Sequence, residues 1–147
     1  MQIPAAHIEP NLRAADRFEA IRTLFDLLVR VNAFAAGTEE SIFQAICQWE
    51  RIIGTGIGYG MAIPHATTDL VPKPVLAFGH SHTGIPFDSM DRVPVRFVFL
   101  LIAPRREFQR HLACLKSIAR AANSLKDISA SATAEDISRM FARDADL

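Results

Sequence analysis

The chain has 147 residues, half of them hydrophobic and 22% charged, with 16 Lys plus Arg against 16 Asp plus Glu. That length fits a single domain over residues 1–147, large enough to bury a core without disulfide or metal staples, and the even charge argues against electrostatically driven binding to nucleic acid or to an acidic membrane. No run of about 18 uncharged apolar residues offers a membrane span, the N-terminus lacks the basic-then-apolar pattern of a signal peptide, and Cys47 and Cys114, both in apolar helical patterns, read as buried free thiols consistent with a reducing cytoplasm.

In chain order, residues 1–13 read as an irregular lead-in with room for a short strand. Asp16 followed by Glu19 is a helix-start pattern. Phe18, Ile21, Phe25 and Leu28 then share a helical face, which predicts a helix over 16–31. Ala35-Ala36-Gly37 breaks the pattern. Thr38 is the expected N-cap of a second helix, 39–51, with Glu39 and Glu40 at its positive end and Ile42, Ala45, Ile46 and Trp49 on its apolar face. Gly54, Gly56, Gly58 and Gly60 supply four of the seven glycines within seven residues, a loop signal. Met61-Ala62-Ile63 is a candidate short strand, and Pro64 pushes Ile63 toward extended backbone.

Residues 75–80 read as a strand and Thr83-Gly84 as a turn. Pro94 through Ala103 is a near-continuous apolar run, the mark of a central strand covered on both faces, and Pro104 ends it. Leu112, Leu115, Ile118, Ala119 and Ala122 predict a helix over about 107–124. Thr133 with Asp136 caps a last helix bearing Ile137, Met140 and Phe141. Apolar strands among amphipathic helices predict an α/β fold, a sheet with helices on both faces; periodicity does not give the strand order.

The chemistry centres on His65, which follows the glycine-rich stretch. Glycine lets backbone N–H groups converge on a phosphate or oxyanion. A neutral imidazole is nucleophilic near physiological pH, its ordinary pKa being about 6.5, so it can take up a phosphoryl group. Spacing alone leaves a second reading open, a structural histidine capping a turn.

Thr55-Gly56-Ile57-Gly58-Tyr59-Gly60-Met61-Ala62-Ile63-Pro64-His65 resembles the active-site signature of the fructose/mannitol-type enzyme IIA domains of the bacterial phosphoenolpyruvate-dependent phosphotransferase system, which the nitrogen-regulatory IIA proteins share. Gly84-Ile85-Pro86-Phe87-Asp88-Ser89-Met90-Asp91 with Pro94-Val95 is similar to the family's hairpin segment. Leu100-Leu101-Ile102-Ala103-Pro104, then His111-Leu112, is similar to its central strand and following helix. The resemblance covers about residues 14–142. It implies a three-layer α/β/α sandwich with a mixed central sheet. It implies His65 as the phosphorylated histidine, His111 as a second active-site histidine stabilising the phosphoryl group, and Thr55 as a loop hydroxyl near the site, with Gly56, Gly58 and Gly60 offering backbone N–H groups. It implies no metal and no cofactor. The implied donor is a histidine-containing phosphocarrier protein, and the implied acceptor is a IIB domain or a regulatory target.

Trp49 departs from the family pattern, where an arginine stands sixteen positions before the active histidine. An indole offers one N–H and no charge where a guanidinium offers a bidentate fork. Losing such a contact costs about 1.5–3 kcal/mol. Arg51 points about 200° away along the helix, which leaves Arg92, Arg105 or Arg106 as substitutes. Tyr59 is a second departure, at a position where a small polar residue is usual. Trp49 also fits a core role, ending the series Ile42, Ala45, Ile46.

Other patterns are weaker. His80 and His82 share a strand face and, with His65 or His111, suggest zinc, but no Cys or carboxylate joins them, and solvated strand-end histidines are the simpler reading. Asp88 and Asp91 suit turn residues better than an acid/base pair. The GxGxG run lacks the Lys-Ser/Thr ending of a phosphate-binding loop. Two functions follow: a stand-alone IIA protein phosphorylated on His65, with no attached IIB or membrane domain, or a non-catalytic regulatory module with a degenerate site, motivated by Trp49. Either is compatible with a homo-oligomer.

Overall fold

A computed structural model describes residues 2–121 and 123–145. The elements in chain order are β1 (Ile8–Glu9), α1 (Arg17–Arg30), α2 (Glu39–Ile53), β2 (Gly56–Gly58), β3 (Met61–Ala62), β4 (His65–Thr67), β5 (Val75–Ile85), β6 (Val95–Ala103), α3 (Arg105–Ala121) and α4 (Ala134–Ala145), with 3-10 turns at Ala5–His7 and Asn123–Asp127. Ala122 and the side chain of Ile118, both expected on the face of α3, lie outside what is described.

The sheet is mixed and β6 is its axis. On one side β6 pairs antiparallel with β5, and β5 pairs parallel with β1. On the other side β6 pairs parallel first with β3 and then, further along, with β4, while β2 runs antiparallel to β3. The apolar run of β6 is continuous because both of its faces are covered. Val98, Leu100 and Ile102 join a core with Ile21, Leu24, Phe25 and Leu28 of α1 and Ile42 and Ile46 of α2. Phe97, Phe99, Leu101 and Ala103 join a second core with Phe108, Leu115 and Ala119 of α3 and Ile137 and Phe141 of α4. The result is the three-layer α/β/α sandwich with helices on both faces of a mixed sheet.

Local chemistry explains the helix starts. The Asp16 carboxylate accepts from the Glu19 N–H at 2.9 Å, an N-cap. Thr133 and Asp136 cap α4 reciprocally, each side chain accepting the other's N–H at 3.1 and 3.0 Å. Thr38 differs from expectation. Its hydroxyl donates to the Ala35 carbonyl at 2.6 Å and makes no side-chain cap. Glu39 instead accepts from the Gly37 N–H at 3.0 Å.

Four further expectations are corrected. Thr83-Gly84 is not the turn: β5 continues to Ile85 and the hairpin loop is 86–94. Gly84 permits this with φ +87, a conformation other residues resist, and with Pro94 packed where a Cβ would stand. Part of the glycine-rich stretch is strand rather than loop, since Gly56–Gly58 pairs with β3. His80 is not solvated at a strand end; because β5 runs on, it is completely buried. Cys47 is buried as expected, whereas Cys114 is exposed.

Candidate functional site

His65 opens β4, an edge segment paired only with β6, with its backbone opposite Leu101. Such an edge sits between the two helical layers and is reached from both. Trp49, near the end of α2, meets the ring from one side with centroids 5.9 Å apart. Phe108 of α3 meets it from the other at 5.1 Å. Ala45, Gln48, Trp49, Ile52, His65, Ala66, Thr67 and Phe108 line an open cleft of about 230 Å³.

Both ring nitrogens of His65 have assigned partners. Nδ1 lies 2.6 Å from the Ile63 carbonyl oxygen, which can only accept, so Nδ1 carries the proton. Nε2 lies 2.6 Å from Trp49 Nε1, an indole N–H that can only donate, so Nε2 carries the lone pair. The two contacts fix the same tautomer. Burial lowers the His65 pKa below its ordinary value; the hydrogen bond to Ile63 opposes this and the charge of Lys116 adds to it. The ring is therefore held neutral and nucleophilic.

A chain of hydrogen bonds connects this ring to Glu50 of α2, and an ion pair carries it on to α1. The Ile63 N–H donates to the Thr55 carbonyl at 3.0 Å. The Thr55 hydroxyl donates to Glu50 Oε2 at 2.6 Å, and its backbone N–H reaches Glu50 Oε1 at 3.4 Å. Glu50 is 1% exposed. Its carboxylate lies 3.6 Å from Arg17 Nε, and Arg17 also donates to Asp88 at 2.9 Å. Burial raises the Glu50 pKa, while the Thr55 hydrogen bonds and Arg17 pull it down. Sequence reasoning missed Glu50 and Arg17. Glu50 sits beside Trp49 in a helix-ending turn, where a glutamate is ordinarily solvated; nothing local signals a partner thirty-three residues earlier.

Trp49 and His65 are brought into contact, and Thr55 is linked to His65 through Ile63. His111 lines a larger cleft of about 750 Å³ with His7, Leu76 and Cys114. Phe108, one turn earlier on α3, is the residue that touches His65. Gly56, Gly58 and Gly60 do not line the His65 cleft. Gly58 and Gly60 sit at the hairpin turn, where the Tyr59 N–H donates to Asp91 at 3.0 Å and the Gly60 carbonyl accepts from the N–H groups of Arg96 and Phe97. Neither do the arginines considered as substitutes line it. Arg51 lies over the Phe18 ring at 5.3 Å and Arg92 belongs to the 86–94 loop. Among the described residues, Lys116 of α3 is a cation whose charge lowers the His65 pKa. His80 and His82 have ring centroids 4.4 Å apart, but among the described residues no group of three or more His, Cys, Asp or Glu is placed to hold a metal.

Residues 1–143 match the family model described as "Phosphoenolpyruvate-dependent sugar phosphotransferase system, EIIA 2". The chain belongs to this family. An EIIA 2 protein named as a fructose-specific EIIA component, from Haloferax volcanii, is 38% identical over 101 residues, covering 69% of this chain and 64% of that protein. The chain thus spans slightly less than two thirds of that relative. A nitrogen regulatory protein of Bradyrhizobium diazoefficiens is 34% identical over 113 residues, covering 77% of this chain and 72% of its own length. The fold matches that in a complex of enzyme IIA mannitol with phosphorylated enzyme IIB mannitol from Escherichia coli, with TM-score 0.81, 22% identity, 96% of this chain and 97% of that one covered. At that identity the likeness concerns the fold. No described helix is long and apolar enough to cross a membrane.

Proposed function

We propose that this EIIA 2 protein accepts a phosphoryl group on Nε2 of His65 from a histidine-containing phosphocarrier protein in the cytoplasm, and passes it to a IIB domain or signals through it. The observation that carries the reading is the tautomer. The Ile63 carbonyl holds the proton on Nδ1, which leaves the Nε2 lone pair as the nucleophile on a neutral ring beside an open cleft. In-line attack forms the Nε2–P bond as the donor's N–P bond breaks, and its electron pair returns to the donor ring. The Ile63 carbonyl then stabilises the positive charge that develops on the ring through its Nδ1–H. Among the described residues Lys116 of α3 is a cation whose charge bears on His65 and would meet the incoming phosphoryl charge, with His111 acting from the turn of α3 after Phe108. The relatives named as a fructose-specific EIIA component and as a nitrogen regulatory protein support phosphotransfer and are compatible with either a sugar-specific or a regulatory role.

A degenerate, non-catalytic module is the less favoured reading, because the nucleophile and its tautomer are intact. The test is incubation with enzyme I, a phosphocarrier and labelled phosphoenolpyruvate. Acid-labile, base-stable label that is lost in His65→Ala is the expected result. No label after hours with several phosphocarriers would overturn the proposal.

A further inference from the structure

The lone pair of His65 Nε2 lies in the ring plane and points in one direction. Trp49 occupies that direction, with its indole N–H donating to Nε2 at 2.6 Å. A phosphorus atom attacked in line must approach along the same path, and two atoms cannot share it. As the chain stands, then, the nucleophile is closed. Trp49 is nevertheless free to leave. It sits near the end of α2, it is 41% exposed, and Ile52 and Ile53 beside it in the helix are exposed as well. Opening breaks one hydrogen bond and turns a side chain; it does not disturb the core.

We propose that the Trp49 indole is a latch on the acceptor nitrogen of His65, one that excludes small phosphoryl donors and yields to a protein donor. This rests on the phosphoryl-acceptor reading of His65. A small phosphoramidate brings no surface that would hold the indole aside, so it meets Nε2 only in the fraction of molecules already open. A protein carrying a phosphohistidine lays surface over Ile52 and Ile53 and draws the indole into that contact. Contact area is then what opens the latch. The transfer balances with either donor. Nε2 gains the P–N bond as the donor's bond breaks, the pair leaves with the donor ring or with ammonia, and the Nδ1 proton stays against the Ile63 carbonyl.

Two measurements on the full chain test this. Trp49 is the sole tryptophan, so its indole N–H gives a single nuclear magnetic resonance signal. That signal should be shifted downfield in the wild type, should show a nitrogen–nitrogen coupling across the hydrogen bond, and should return to the value of a free indole in His65→Ala. An indole signal identical in the two proteins would overturn the latch. The second measurement compares labelling of the wild type and Trp49→Phe, which keeps an aromatic ring but lacks the N–H. With phosphoramidate, Trp49→Phe should label roughly tenfold faster, the factor a hydrogen bond of ordinary strength sets. With a phosphorylated phosphocarrier the gain should be several-fold smaller than with phosphoramidate, because the protein donor already opens the latch in the wild type. Equal rates with phosphoramidate would overturn the proposal. If no donor labels either protein, the phosphoryl-acceptor reading falls, and the indole signal alone decides whether Trp49 holds His65.

Discussion

The ring of His80 stacks on Phe97 with planes 7° apart and centroids 5.5 Å apart. It is fully buried, and neither of its nitrogens has a hydrogen-bond partner among the described residues. Burial, then the neighbouring His82 and Arg96, push its pKa down to about 4. The unfolded chain takes up this proton near pH 6.5, while the folded chain resists until about pH 4. Between those values the unfolded state binds more protons, so stability falls as the pH drops. The shift corresponds to about 2 kcal/mol lost by pH 5 relative to pH 7.5. His80→Phe removes the two unmet nitrogens and keeps the stack. Urea unfolding should show the variant at least as stable at pH 7.5 and visibly less sensitive to pH 5. A variant with the same pH dependence as the wild type would show that other groups carry it. The sequence placed His80 on a strand face correctly, but not its depth. Depth depends on β5 continuing past Gly84, and a Thr-Gly pair is read locally as a turn.

At the scale of elements, helix starts were legible and their hydrogen-bond directions were not. Asp16 can only accept, so its position fixes its capping role. Thr38 can donate as well, and here it donates to Ala35. Asp16→Ala should therefore cost about 1 kcal/mol by chemical denaturation, and Thr38→Ala clearly less. Equal costs would return a capping role to Thr38. The end of α2 does more than stop. Residues 49 and 50 point to different tasks, Trp49 to the His65 ring and Glu50 into the protein, where it accepts both donors of Thr55. Glu50→Leu leaves the Thr55 hydroxyl and N–H without a buried acceptor and should cost about 2–3 kcal/mol. Glu50→Gln keeps one acceptor and should cost less. Because Thr55 also holds Ile63, which holds the His65 proton, Glu50→Leu should loosen the His65 tautomer, visible in the nitrogen chemical shifts of its ring. Unchanged shifts in a folded Glu50→Leu protein would confine Glu50 to stability.

Across the whole molecule, the sequence patterns carried the layers further than the pairings. The run from Val95 to Ala103 demanded cover on both faces, and two cores with separate helices provide it. What the patterns missed is long-range. They did not show that β1 pairs with β5, that Phe108 rather than His111 touches His65, or that the glycine-rich hairpin leans on the 86–94 loop. That last contact explains a glycine that backbone angles do not. Gly56 needs no positive φ; a Cβ there would stand 2.2 Å from Ser89 Oγ and 3.0 Å from Ser89 Cβ. Ser89 is buried and its hydroxyl has no partner among the described residues, so it offers no room and gains nothing from staying. Gly56→Ala should destabilise the protein by about 1–3 kcal/mol, the usual cost of overpacking. Adding Ser89→Gly removes both crowding atoms and leaves the Ser89 backbone at 3.3 Å. The double variant should recover part of the loss, giving an interaction energy of opposite sign to the single costs. Strict additivity of the two substitutions in urea unfolding would mean that Gly56 is required by β2 itself, not by the loop packed against it.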